Sequence, residues 1–111
     1  MNDLLIQQVV KLYTEAAQQI YGSVLHEVIL FGSCARGDYD SESDIDLMVL
    51  LNATPEEIPA LRQKMRTTAN ALDLEYDCVI SATFQSRQVF EQYKPASMFY
   101  QNIEREGQLV G

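Results

Sequence analysis

This chain has little of what most catalytic or secreted small domains lean on. Its 111 residues include one histidine, His26, and two cysteines, Cys34 and Cys78. Two thiols do not make the disulfide framework of a small secreted domain. One histidine does not make Cys34 half of a nucleophile pair. Basic residues are scarce, 8 Lys and Arg against 16 Asp and Glu, for a net charge of −8. That balance argues against direct binding of nucleic acid, which calls for a basic face. It leaves open a nucleotide held through metal ions. No apolar run approaches the ~18 residues of a transmembrane helix, so no membrane association is expected. The start, Met1-Asn2-Asp3-Leu4, has neither the basic nor the apolar region of a signal peptide. The expectation is a soluble cytoplasmic protein with reduced thiols. Repeats, low-complexity tracts and linkers are missing too, and the length suits a single domain over residues 1–111.

What is present is a 47% apolar and aromatic composition, with a periodicity that switches between helix and strand. One mixed α/β or α+β domain is expected. Leu5, Val9, Leu12, Ala16 and Ile20 give residues 3–21 a helical stripe, ended by Gly22-Ser23. Residues 27–31, Glu-Val-Ile-Leu-Phe, read as a strand covered on both faces, and 44–51 as a second strand. Thr54 and Glu57 form a capping box with Pro55 at the first helical position. The helix proper begins near Pro59 and carries Leu61, Met65, Ala69 and Leu72. Residues 73–81 read as a third strand, with Asp73, Glu75, Asp77 and Val79 on one face. Residues 83–93 and 96–106 read as helices broken by Pro95, the last ended by Gly107.

The chemistry is concentrated in 31–47, Phe-Gly-Ser-Cys-Ala-Arg-Gly-Asp-Tyr-Asp-Ser-Glu-Ser-Asp-Ile-Asp-Leu. A strand runs into Gly32-Ser33, where glycine admits close backbone approach and exposed N–H groups can hold phosphate oxygens. Arg36 can pair with phosphate charge. Asp44 and Asp46, two apart on a strand, point to the same face. Two like charges on an otherwise apolar strand are costly without a cation between them. Magnesium suits that position, being held by one or two carboxylates plus substrate phosphates. If the third strand neighbours the second, Asp77 completes a three-carboxylate cluster, with Glu75 as the fallback. Two rival motifs fail: a Walker A loop needs lysine where Asp38 stands, and a calcium loop lacks its glycine at Ser43 and its bidentate glutamate at Val49.

Gly32-Ser33, ten intervening residues and Asp44-Ile45-Asp46 resemble the signature of the DNA polymerase β-like nucleotidyltransferase superfamily. Ala35-Arg36-Gly37, Ser43-Asp44-Ile45-Asp46-Leu47 and Ile103-Glu104-Arg105-Glu106-Gly107 resemble its minimal branch. The resemblance implies a small α/β (α+β) palm domain. Its mixed sheet would have three to four strands, with helices mainly on one face. It implies that Gly32 and Ser33, with Arg36 and Ser43 nearby, bind the triphosphate of ATP. Asp44, Asp46 and Asp77 would ligate two Mg2+ ions. Asp77 would also help activate an attacking hydroxyl, which displaces pyrophosphate and takes AMP. Three carboxylates supply about −3 and a triphosphate about −4, against about +4 from two magnesium ions.

Small members of this branch are typically encoded beside a helical HEPN ribonuclease toxin, whose tyrosine they modify as antitoxins. A hetero-oligomer with such a toxin is the partner expectation. Two alternatives are a non-catalytic antitoxin acting by occupancy and an enzyme with an aminoglycoside-like acceptor. Outside this segment, His26 reads as structural, Cys34 as steric and Cys78 as core. Arg62, Lys64 and Arg66 read as a solvated helix face or a contact for nucleotide or partner. Tyr93, Phe99 and Tyr100 suit either the core or a partner surface.

Overall fold

A computed structural model describes all residues, Met1–Gly111, as six helices and a four-stranded mixed sheet. In chain order these are α1 (Asp3–Tyr21), β1 (Leu25–Phe31), α2 (Ser33–Arg36), β2 (Ile45–Leu51), α3 (Ile58–Gln63), α4 (Arg66–Tyr76), β3 (Ile80–Ser86), α5 (Arg87–Tyr93), α6 (Met98–Glu106) and β4 (Gln108–Leu109). The spatial order is β3-β2-β1-β4. β2 is antiparallel to β1 and parallel to β3, and β4 adds antiparallel to β1 at the other edge. The parallel step requires a crossover, which α3 and α4 supply.

The larger helices lie on one face of the sheet. Val28, Leu30, Ile45, Leu47, Val49 and Leu51 pack there against Ile6, Val9, Val10, Tyr13, Ala17 and Tyr21 of α1, and against Met65 and Leu72. The stripe on α1 is therefore turned from the expected one, and Ile20 is exposed. A smaller cluster on the other face joins Ile29, Met48 and Leu50 to Phe90 of α5 and Ile103 of α6. β2 is buried at every position except Asp46, as a central strand covered on both sides must be. No helix is both long and apolar enough to cross a membrane.

The expected third strand, 73–81, is a correction. Residues 66–76 are helical and β3 starts only at Ile80. The alternation of Leu74, Tyr76, Cys78 and Ile80 imitated a strand, but Leu74 is 86% exposed. The helical stripe of Met65, Ala69 and Leu72 instead runs on to Tyr76, and all four pack on the main core. The helix stops at Asp77, which takes the left-handed conformation at φ 50° and returns its N–H to the Asp73 carbonyl. Aspartate is among the few non-glycine residues that tolerate this conformation. Residues 83–86, expected to be helical, belong to β3, and α5 follows directly. Ser97 caps α6 by accepting the Tyr100 N–H at 3.1 Å, and Gly107 ends it.

Candidate active site

The turn from β1 into α2 and the entry to β2 meet at one end of the sheet. Phe31, the last residue of β1, pairs with Asp46, near the start of β2. Between Phe31 and α2 stands Gly32, at φ 73° and ψ −157°, where only glycine sits without strain. Its missing side chain has a second consequence. A Cβ built at Gly32 would overlap Asp46 Oδ2 and lie 3.2 Å from Asp46 Cγ. The Asp46 carboxylate thus occupies the space glycine leaves, directly against the backbone that leads into Ser33.

Asp46 is half-buried and Asp44 exposed. Burial pushes the Asp46 carboxyl above its usual range, the neighbouring Asp44 charge pushes it further, and Arg36 partly offsets this. A pair that resists holding two negative charges, with oxygen donors only, is the donor set a hard divalent cation satisfies. Arg36 is exposed; its Nε lies 3.2 Å from Asp38 and its Nη1 3.4 Å from Glu106. Ser43 is engaged inside its own loop. Its hydroxyl accepts the Asp40 N–H at 3.0 Å and donates to Asp40 Oδ1 at 3.3 Å. Cys34 is buried and points its thiol at the Asp44 carbonyl, 3.4 Å away. Burial, chiefly, and the charge of Asp46 push that thiol's pKa up, so it stays protonated and serves to hold the loop rather than as a nucleophile.

Asp77 is not brought into this arrangement on a strand face, because it caps α4 before β3 begins. Glu75 is exposed on the same helix. No three His, Cys, Asp or Glu side chains converge as a metal site. Asp73, nearer β3, is committed elsewhere: its carboxylate accepts the Ile80 N–H at 2.9 Å. The residue beside Asp46 on β3 is Ser81. Sequence reading missed it because the strand was placed too early, and no signal in the sequence marks a lone serine. His26 lies 3.5 Å from Glu27 near the far end of β1, and Arg62, Lys64 and Arg66 are exposed on or between α3 and α4. Tyr100 packs on Phe90 at 4.7 Å between ring centroids, while Tyr93 and Phe99 are half exposed.

Residues 10–110 match the nucleotidyltransferase domain family. The chain belongs to that family. It is similar to two proteins of Methanocaldococcus jannaschii. It is 40% identical over 78 residues to one named "Putative protein adenylyltransferase MJ0141", covering 68% of this chain and 75% of that protein. It is 31% identical over 104 residues to "Putative protein adenylyltransferase MJ0604", covering 94% and 96%. The fold is also that of a crystal structure described as a putative nucleotidyltransferase from Sulfolobus solfataricus, with a TM-score of 0.56 and 22% identity over 96% of this chain and 82% of that one. The nucleotidyltransferase domain thus places its glycine-serine turn and its two aspartates at one end of a single sheet, on one continuous stretch of chain.

Proposed function

We propose that this nucleotidyltransferase moves AMP from ATP to a hydroxyl of a partner protein, in a magnesium-dependent reaction. The observation that carries the reading is the fit of Asp46 into the space left by Gly32, with Asp44 beside it. That fit sets the Asp46 carboxylate against the backbone turn assigned to the triphosphate, with the Asp44 charge near enough to act on it. Magnesium bound by Asp44 and Asp46 supplies charge neutralisation on the phosphates and a better leaving pyrophosphate. Gly32 and Ser33 hold the terminal phosphates, and Arg36 turns from its exposed acidic partners toward them. The acceptor oxygen forms its bond to the α-phosphorus as the bond to pyrophosphate breaks, and the hydroxyl proton leaves to solvent or phosphate. The chain contributes position and charge rather than a covalent intermediate.

A protein acceptor is favoured by the resemblance to minimal nucleotidyltransferases and by the relatives' names as protein adenylyltransferases. The partner this reading selects is a helical HEPN ribonuclease toxin, modified on tyrosine and so silenced in the cytoplasm, with this chain as its antitoxin. The test mixes the chain, ATP, magnesium and the helical protein encoded beside it. Intact-mass spectrometry should show additions of whole AMP units, and none with Asp44→Asn and Asp46→Asn together. A partner inhibited in a stoichiometric complex without added mass would sink the catalytic reading.

A further inference from the structure

Three carboxylates were expected at this centre, and the topology supplies two. β3 runs parallel to β2 in an unbroken register, Ile45 beside Ile80, Asp46 beside Ser81 and Leu47 beside Ala82. Side chains of paired residues on neighbouring strands point to the same face, with the strands ~4.8 Å apart. Ile80 and Ala82 pack on the main core, so Ser81 projects from the opposite face, the face of Asp46, and is exposed. The pairing extends back as far as the Val79 carbonyl, which accepts the Ile45 N–H at 2.8 Å. Asp77 lies before even that contact, turned into the left-handed cap of α4. Bringing it beside Asp46 would take a four-residue slip, which keeps the side-chain faces but undoes the pairing from Ile80 to Ser86 and pulls Tyr76 and Asp77 off the end of α4.

Resting on the reading of Asp44 and Asp46 as metal-holding residues, we infer that Ser81, not Asp77, is the third group of the centre. With a neutral hydroxyl there, the protein alone binds a divalent cation weakly and takes it together with the triphosphate. The reasoning is electrostatic. Divalent affinity follows the number of ligand charges. Two carboxylates, one of them exposed, leave most of the cation's positions to waters and phosphate oxygens. Asp77 is then a backbone device: its φ of 50° is a position glycine fills without strain.

The test reads Mn2+ binding by electron paramagnetic resonance, with and without a non-hydrolysable ATP analogue, on chains shown by circular dichroism to be folded. Wild type should bind Mn2+ much more tightly with the analogue than without it. Ser81→Asp should raise nucleotide-free Mn2+ affinity by about tenfold or more, as an added charged ligand does. Asp77→Gly should keep both the fold and the Mn2+ affinity of wild type. A folded Ser81→Asp with no gain, or an Asp77→Gly that loses Mn2+ as Asp44→Asn does, overturns the inference and leaves the nucleotidyltransferase reading standing. Asp44→Asn and Asp46→Asn that bind the Mn2+–analogue complex like wild type overturn both.

Discussion

The Asp46 carboxylate stands where a Cβ at residue 32 would be, so Gly32 and Asp46 are specified as a pair. Gly32→Ala faces two separate penalties. The backbone is at φ 73° and ψ −157°, a region essentially reserved for glycine that costs an alanine about 1–3 kcal/mol. The new methyl also displaces the carboxylate from the turn into α2. The expected outcome is a stability loss of at least that size, together with loss of detectable ATP binding in calorimetry. An alanine variant with wild-type melting and wild-type affinity would show that the close approach has no role.

Much of this arrangement is legible in the sequence, and the part that is not has a physical cause. Gly32-Ser33 and Asp44-Ile45-Asp46 are short-range features, set by φ at Gly32 and by the entry to β2, which begins at Ile45 just after Asp44. The capping box at Thr54 and the caps of α6 are equally local. The third strand is different. Its boundary depends on whether Tyr76 packs as the last turn of α4 or as a strand residue, and tertiary packing on the main core decides that. Once β3 moves to Ile80, the group beside Asp46 changes from an acid to Ser81. Register between distant strands is invisible to local pattern.

Asp46→Asn should separate stability from function. In the metal-free protein, burial and the charge of Asp44 both oppose ionisation of Asp46. Removing its charge relieves a like-charge contact of about 0.5 kcal/mol. For a domain of this size that is roughly 2–4 °C in Tm. The variant should therefore melt slightly higher than wild type without metal. Added magnesium and ATP should raise the wild-type Tm but not the variant's. Differential scanning fluorimetry in both conditions checks this, and a metal-free variant that melts well below wild type would contradict it.

The entrance to α3 offers a pH test far from the site. The Glu57 carboxylate accepts from the Thr54 N–H at 2.9 Å and from its hydroxyl at 3.0 Å. These bonds hold the Glu57 pKa below its ordinary 4.5. A depressed folded-state pKa gives stability that is present above the unfolded value and lost as pH falls through the folded one. Thr54→Ala should cost about 1 kcal/mol at neutral pH, as for other helix caps. The gap from wild type should narrow as the solution is acidified below the ordinary glutamate range. Chemical denaturation at neutral pH and at low pH measures both, and a gap that widens in acid would refute the assignment.

The isolated chain should be a slow enzyme until a protein acceptor is supplied. The matched family domain takes up residues 10–110, and its one sheet carries Asp46 against the turn into α2, with Asp44 just before β2. Asp44 is exposed and Asp46 only half-buried, so an incoming hydroxyl reaches them from solvent. Positioning is worth on the order of 7–11 kcal/mol in well-oriented intramolecular reactions, so an unpositioned hydroxyl should react orders of magnitude more slowly. The charge of −8 favours a basic protein surface as the body that does the positioning, and salt should weaken the encounter. Pyrophosphate release is the measurement, with chain, ATP and magnesium alone and then with the proposed helical acceptor protein. The expected result is a near-background rate alone, a large rise with partner, and a fall in that rise as ionic strength increases. Equal rates with and without partner would place the acceptor-binding surface on this chain. Rapid release with an aminoglycoside and no protein would replace the protein acceptor with a small molecule.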